Sequence, residues 1–267
     1  MNTFFSIIKK EMIYILRDKR TIVLAVLSPI IFICAYGYYA VSILNSSNNV
    51  VMGIKIVKYI LTMILTVLMF LSVLTGALEI GVGEKERGTL YSLLKTGVNL
   101  KLIILGKYTT LLLQGIISLI ILNLNMFILS LFSGNVFNIL IKNGDFTYYT
   151  MRVNIVLLLC VMFFCSIELL ISFSVKSFKE GQVLSFPIIF ILLAPFYYAL
   201  TFNFNIHGGY YYIIPFFNIS VIFNDIINSD LMIKNFLVFL ISNCAVMYVM
   251  IRVILGVLNK ESVIVRR

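Results

Sequence analysis

Long apolar runs limit, more than any other feature, what this chain can fold into. Several runs reach about 20 residues, the length that an α-helix needs to cross the hydrocarbon core of a bilayer. The chain of 267 residues is 61% hydrophobic and 12% charged, so a soluble domain of this length would leave much apolar surface exposed. An outer-membrane barrel would show short alternating segments instead. We therefore predict an all-α integral membrane protein with a single transmembrane domain over residues 1–267.

The apolar runs predict six transmembrane helices. The first run is too long for the core of a cleavable signal peptide and lacks a small-residue cleavage site, so we expect it to remain as a span. The third run is longer than a span needs, which predicts a tilt or a break near Asn123 and Asn125. The predicted spans are about 21–44, 57–80, 102–132, 153–175, 183–201 and 235–258.

Two further segments are predicted to lie at the membrane surface. Residues 2–17 combine apolar side chains at helical spacing with Lys9, Lys10 and Arg17, which predicts an amphipathic elbow helix in the interface. The alternative for these residues is a solvated leader. Residues 210–227 are apolar and aromatic but too short for a clean span. They predict an outer re-entrant segment whose backbone the protein buries, with an ordinary outer loop as the alternative.

The positions of the Lys and Arg residues predict the orientation in the membrane. Of the 21 such residues, 16 lie in the N-terminal segment, in 81–107, in 176–182 and at the C-terminal end, and 5 lie on the other side. Both termini are therefore expected in the cytoplasm. This placement also accounts for the net charge of +10 without a nucleic-acid partner. The chain has no Trp, and its Tyr residues fall mainly at predicted span ends, as interfacial anchors do.

The sequence contains no recognisable catalytic, cofactor-binding or metal-binding pattern. His207 is the single histidine, which leaves no His-based metal cluster or catalytic triad. A G-x-x-x-x-G-K-[ST] loop is also missing, so we expect that this chain does not hydrolyse nucleotide by itself. The four cysteines lie in apolar runs and are expected to pack as small hydrophobic side chains.

A few polar residues lie inside the predicted spans. Glu168 needs a partner, water or a proton there, because an unpaired carboxylate is costly in a bilayer. It is either a transport-path or proton-coupling group or a structural one, paired for example with Lys176. The hydroxyl residues Thr62, Thr66 and Ser72 of the second span either line a path or pack helices together.

A short charged segment, residues 84–94 (the island), separates the second and third predicted spans on the expected cytoplasmic side. Its acidic residues Glu84 and Glu86 suit the positive end of a helix dipole, and its leucines supply an apolar face. The pattern fits an amphipathic helix that presents charges to a soluble partner, and it fits a solvated connector equally well.

The island, E-K-E-R-G-T-L-Y-S-L-L, resembles the E-K-E-R-G-T-L-E-x-L-L segment of type-2 ABC exporter permeases. Residues 103–107 (I-I-L-G-K) are similar to the I-x-x-G-K that opens the third span in that family, and residues 9–21 look like its K-K-E…R-D-x-R-T entry. Three later matches follow in the family's order, at 177–182, 215–218 and 260–263. The resemblance covers nearly the whole chain, and its nearest branch is the sodium-exporting permeases.

The resemblance implies a permease subunit in a bacterial inner membrane. Two permease subunits, identical or homologous, would enclose a path of about twelve spans, lined by the second and fifth span of each. Two cytoplasmic ATPase subunits would carry the ATP and Mg, so this chain would need no cofactor and no enzymatic site of its own. The island would be the coupling helix seated on the ATPase, and its coupling residues would be Glu84, Glu86, Arg87, Gly88, Thr89, Leu90 and Leu93.

The expected function is thus export of a hydrophobic or amphiphilic cargo such as a peptide, lipid or drug, with self-protection as a variant. Sodium export is one alternative, although sodium-exporting permeases carry a large outer domain where this chain has only about residues 45–56. An ATP-independent secondary transporter is the other alternative. It would favour inverted repeats and several intramembrane charges, whereas Glu168 is the one acidic residue deep in a predicted span.

Overall fold

The computed structural model of the protein describes residues 2–17, 23, 27–47, 49–95, 97–132, 134–142, 146–201 and 209–266. Every regular element in these ranges is helical. A 3-10 turn at Gly209–Tyr212 precedes α10. In chain order the α-helices are α1 (Asn2–Arg17), α2 (Ser28–Ser46), α3 (Val50–Ile80), α4 (Val82–Glu86), α5 (Thr89–Lys95), α6 (Leu100–Ser130), α7 (Val136–Lys142), α8 (Phe146–Ser174), α9 (Phe178–Thr201), α10 (Phe217–Asn228) and α11 (Ile233–Arg266).

Six helical segments of the described chain are long and apolar enough to span a membrane. They are α2, α3 continued through α4, α6, α8, α9 and α11. Each predicted span overlaps one of them, so the prediction of an all-α membrane protein with six spans is confirmed. The start of the first predicted span, residues 21–26, lies outside the described residues except for Val23.

The third span contains no break. Helix α6 runs from Leu100 to Ser130 without interruption, so the break considered near Asn123 is not present. The Asn123 amide instead donates to the Leu119 carbonyl at 2.8 Å and exchanges hydrogen bonds with Asn154 of α8. A polar pair of this kind satisfies both amides inside the bundle, so the helix can continue past them.

Helices α3 and α8 form the centre of the bundle. In the most apolar 18-residue stretch of each helix, 72% is buried in α3 and 67% in α8, compared with 17% in α11. Near the island the two helices approach closely, because a Cβ on Gly81 would lie 1.9 Å from the Ser172 hydroxyl. That hydroxyl donates to the Ala77 carbonyl at 2.7 Å and accepts from the Val82 amide at 3.0 Å. Small residues and a hydroxyl therefore join the end of α3 to α8, as is usual for packed membrane helices.

The outer segment folds as a short buried helix. Helix α10 begins after Phe216 and ends at Ser229, and both of these residues have positive φ (67° and 62°). Ser220 of this helix shares a hydrogen bond of 2.7 Å with Tyr59 and donates to the Pro195 carbonyl at 3.0 Å. The predicted re-entrant segment at 210–227 thus consists of the 3-10 turn, where Tyr212 is buried and Tyr210 is exposed, and of α10, which is buried among the spans. Residues 202–208, which lead into it, lie outside the described residues.

The surface helix predicted over 2–17 is present as α1, but the single helix predicted over the island needs correction. The island folds as two short helices, α4 and α5, separated by Arg87 and Gly88. Gly88 has φ +70°, a backbone conformation that ends helices and that glycine adopts without the strain a Cβ would bring.

Candidate functional site

The island enters the bundle because α4 continues almost directly from the second span. Only Gly81 separates α3 from α4, and the first residues of α4, Val82, Gly83 and Glu84, are buried. The Glu84 side chain is 1% exposed. The first acidic residue of the island therefore points into the protein and not toward a soluble partner.

Glu84 belongs to a buried group of four charges: Lys10, Glu11, Glu84 and Lys107 (the ion cluster). The fully buried Lys107 ammonium donates to Glu84 Oε2 at 2.7 Å, to Glu11 Oε1 at 2.9 Å and to the Ile80 carbonyl at 2.5 Å. Lys10 donates to Glu84 Oε1 at 2.5 Å. Three acceptors match the three N–H bonds of Lys107, and two carboxylates balance two ammonium groups.

The ion cluster fastens three elements together. Glu11 and Lys10 belong to α1, Glu84 to α4 and Lys107 to α6. Removing one partner of a buried ion pair typically costs about 3–5 kcal/mol, because the other charge is left without compensation. The surface helix α1 is therefore held to the island and to the third span by charge as well as by apolar contacts.

The pKa values of Glu11 and Lys10, the two α1 members of the cluster, are both raised, but for different reasons. Burial raises the pKa of the Glu11 carboxyl, and the charge of Lys107 only partly opposes this. Its second oxygen, Oε2, has no hydrogen-bond partner among the described residues. Burial lowers the pKa of Lys10, but the hydrogen bond and charge of Glu84 outweigh this and leave that pKa raised. Lys10 therefore keeps its positive charge at the edge of the cluster.

The next three charges of the island reach three other parts of the bundle. Lys85 donates to the Phe173 carbonyl at 2.5 Å, near the end of α8. Glu86 accepts from the Phe178 amide at 2.8 Å, at the start of α9. Arg87 donates to Glu79 Oε1 of α3 at 2.7 Å and lies over the Tyr14 ring of α1, 5.4 Å from its centre. Four consecutive side chains thus connect the island to every neighbouring element except α11.

The second half of the island packs on the last helix and leaves one face free. Helix α5 packs on α11, and its residues Leu90 and Leu94 are buried. Tyr91, by contrast, is 41% exposed. The exposed outer face of the island consists of Glu86, Arg87, Tyr91 and Ser92, and Lys95 directly after the island extends this face. Tyr and Arg are enriched at protein interfaces, so Arg87 and Tyr91 make this face a candidate for contact with a soluble protein.

The structure places the other predicted island residues in supporting positions. Gly88 makes the break between α4 and α5. The Thr89 hydroxyl donates to the Glu84 carbonyl at 3.3 Å, across that break. Leu90 is fully buried, and Leu93 packs half-buried against the core.

Sequence reasoning missed Lys107 and Glu11 as members of the site. Both were assigned only to charge counts and motifs, because their contacts join residues 96 positions apart. One signal was available, since Lys107 follows the apolar run 102–106 inside a predicted span. An ionisable residue at such a place requires a partner.

The polar residues of the second span lie inside the chain's own core. Thr62, Thr66 and Ser72 are buried. Their hydroxyls donate to the carbonyls of residues three or four positions earlier, at 2.7, 2.7 and 2.9 Å. Hydroxyls satisfied in this way need no ligand, so the arrangement favours helix packing over a path.

Glu168 is fully buried in α8, and neither of its carboxylate oxygens has a hydrogen-bond partner among the described residues. The pairing considered with Lys176 is not formed. Lys176 is exposed, and the hydrogen bond it forms within the described residues runs from its backbone amide to Glu180. Within the described part of the chain, no group of three or more His, Cys, Asp or Glu residues is placed to hold a metal ion.

Comparison with known proteins identifies the family of the chain. The family model of the ABC-2 family transporter proteins matches residues 5–259, which include the island and the whole ion cluster. The chain is also similar to the ABC transporter permease protein NatB of Bacillus subtilis (strain 168), with 26% identity over 176 residues. That alignment covers 62% of this chain and 45% of the relative, so the chain matches less than half of the relative's length. Because the family model spans nearly the whole chain, the protein belongs to the ABC-2 family of transporter proteins.

Proposed function

We propose that this chain is the permease subunit of an ATP-driven ABC exporter of a bacterial inner membrane, with both termini in the cytoplasm. The observation that carries the proposal is the construction of the island. Its side chains bond to α1, α3, α6, α8 and the start of α9, while Glu86, Arg87, Tyr91 and Ser92 remain exposed. A protein bound to the exposed residues of such a segment can displace it, and the segment can transmit that displacement to most helices of the bundle.

In this proposal two cytoplasmic ATPase subunits dock on the outer face of the island. The ATPases bind the ATP and Mg, and a second permease subunit, identical or homologous, completes the transport path. Closure of the ATPases would displace α4 and α5, and rigid packed elements carry such displacements as whole-body movements. The ion cluster would make α1 and α6 move with α4, and the Ser172 contacts would make α8 follow.

The proposed cargo is a hydrophobic or amphiphilic molecule such as a peptide, lipid or drug. The fifth span supports an apolar cargo, because only 28% of the most apolar 18-residue stretch of α9 is buried. Its exposed side chains include Phe186, Phe190 and Tyr197. If this face lines the path with the second span of each subunit, as the family resemblance implies, its surface suits apolar groups.

Sodium is the alternative cargo, because the sequence resembles the sodium-exporting permeases. The structure offers little support for it, since α2 ends at Ser46 and α3 begins at Val50. The connection between them cannot hold the large outer domain of that branch.

The proposal is tested by isolating the tagged permease from its native host in a mild detergent. We expect a P-loop ATPase to co-purify with it, and Tyr91→Ala to reduce the ATPase yield about tenfold, since an interface aromatic is often worth more than 1 kcal/mol. The control is Tyr197→Ala, which removes an exposed tyrosine from the fifth span; this residue is 58% exposed, against 41% for Tyr91. If no nucleotide-binding protein accompanies the wild-type permease, an ATP-independent transporter becomes the better reading.

A further inference from the structure

Helix α1 carries a basic groove on its surface, separate from the exposed face that is proposed to contact the ATPase. The groove has a volume of about 380 Å³ and is lined by Ser6, Lys9, Lys10, Ile13, Tyr14 and Arg17. Three of these six side chains are cationic and none is acidic. A concave surface with this composition attracts anions.

Two of the three cations are available to a ligand. Lys9 and Arg17 are exposed and form no ion pair with any described carboxylate. Lys10 shares its charge with Glu84 of the ion cluster, at 2.5 Å. The groove therefore keeps a net positive charge even though Lys10 is paired with Glu84.

The wall of the groove is fixed by the ion cluster. The Tyr14 ring lies 5.5 Å from the Lys10 ammonium and 5.4 Å from the Arg87 guanidinium, measured to the ring centre. Such contacts between cations and an aromatic ring stabilise its position. Since Lys10 is held by Glu84 and Arg87 by Glu79, the groove is preorganised by residues of α3 and α4.

The same helix presents an apolar surface beside the groove. Phe5, Ile13 and Leu16 are 59%, 40% and 58% exposed. A soluble anion would gain nothing from these side chains, whereas the acyl chains of a lipid would cover them. Basic residues beside exposed apolar ones on one amphipathic helix are the pattern of binding to anionic lipid.

We propose that this groove binds the headgroup of an anionic phospholipid, with the phosphate between Lys9 and Arg17. The proposal rests on the cytoplasmic orientation proposed above, because it places α1 at the inner leaflet surface. A bound headgroup would hold α1 in the interface next to the ion cluster. The lipid composition would thereby influence how firmly the island is supported.

The chain contains no tryptophan, so one introduced indole reports on the groove alone. The permease with Ile13→Trp is purified and reconstituted in phosphatidylcholine vesicles that contain one fifth phosphatidylglycerol. Fluorescence quenching is compared when either the phosphatidylglycerol or an equal share of the phosphatidylcholine carries brominated chains. We expect the brominated anionic lipid to quench several-fold more than its mole fraction predicts. The control indole is Phe190→Trp, on the exposed face of the fifth span, where both lipids should quench alike.

Removing the groove charges should abolish the preference. We expect Lys9→Gln and Arg17→Gln, each added to Ile13→Trp, to reduce the enrichment by up to about fivefold, the usual effect of one basic residue at an anionic surface. Lys101→Gln, which removes an exposed lysine outside the groove, should leave it unchanged. Equal quenching by the two brominated lipids at the Ile13→Trp position would overturn the proposal.

The experiment uses the permease without an ATPase, so its outcome does not depend on the proposed export function. If the groove contacts the ATPase instead, Lys9→Gln and Arg17→Gln will reduce ATPase co-purification while the quenching shows no preference. That result would also overturn the lipid proposal. A normal elution profile in size-exclusion chromatography for each variant shows that the comparison is made on folded protein.

Discussion

The ammonium group of Lys107 links α6 to α1, α3 and α4. This group has no contact with solvent and uses all three N–H bonds within the protein. Without it, Glu84 would keep only Lys10, and Glu11 would keep Lys10 at the longer distance of 3.8 Å. A residue inside a predicted span thus supplies much of the charge that holds α1 to the bundle, beside the Lys10–Glu84 pair.

We expect Lys107→Met to lower the free energy of unfolding by about 3–5 kcal/mol, because it leaves buried carboxylates without compensation. The double variant Lys107→Met with Glu11→Leu should recover at least half of this loss, since it removes one charge of each sign and leaves the Lys10–Glu84 pair. Thermal unfolding in detergent, followed with a thiol-reactive dye on the buried cysteines, measures both.

The control for Lys107→Met is Lys101→Met, which changes an exposed lysine near the start of the same helix. Surface substitutions of this kind usually change stability by no more than about 0.5 kcal/mol. If Lys107→Met unfolds at the wild-type temperature, the ion cluster does not hold α1 to the bundle.

At the scale of elements, the break at Gly88 decides what the island can do. It lets α4 stay buried against the spans while α5 turns to pack on α11. A continuous helix over 84–94 would have a single axis, so the part with Leu90 and Leu94 could not change direction relative to the part with Glu84. The sequence could not show this break, because the apolar and charged spacing of the island fits an uninterrupted helix. The sign of φ at one glycine is determined by the packing on both sides.

Gly88→Ala tests this break without adding a clash. No atom lies within 4 Å of the position that a Cβ would take, and the cost comes from the φ of +70° alone. That cost is about 1–2 kcal/mol for a residue with a Cβ. We therefore expect hydrogen exchange in peptides from α5 to rise about five- to thirtyfold, as the last turns open more often.

Two variants define the comparison for Gly88→Ala. Asparagine tolerates left-handed backbone better than alanine, so Gly88→Asn should show a smaller rise in exchange. Gly256→Ala places a Cβ in open space on α11, without a positive φ, and should show none. An unchanged exchange rate in Gly88→Ala would mean that α5 does not depend on this turn.

At the scale of the whole molecule, the sequence predicted the features that depend on short continuous stretches of the chain. The thickness of a bilayer sets span length, so six spans could be located from apolar runs alone. The ion cluster could not be found in this way, because Glu11 and Lys107 meet only when α1 folds back onto α6. The interior position of Thr62 and Thr66 was equally undetermined, since periodicity shows that two faces differ but not which neighbour covers each face.

The two ends of the bundle differ in how they hold their cations. At the island end, Lys10 and Lys107 are paired with carboxylates. At the opposite end of α3, Lys58 lies over the Tyr149 ring at 5.2 Å, and Arg152 of α8 lies over the Tyr148 ring at 4.0 Å. Tyrosine also holds cations at the island end, where Lys10 and Arg87 lie over the Tyr14 ring. The proposed cytoplasmic placement of the island end therefore rests on its larger number of cations.

Labelling of single introduced cysteines in intact cells tests this orientation. With a membrane-impermeant maleimide, we expect Ser46→Cys, at the exposed end of α2, to react in intact cells. Lys179→Cys, exposed at the start of α9, should react only after the inner membrane is permeabilised. The wild-type chain provides the background, because two of its cysteines are buried and the other two lie within membrane-spanning helices. The reverse pattern would place the island outside the cell, away from ATP, and would contradict the export mechanism along with the orientation.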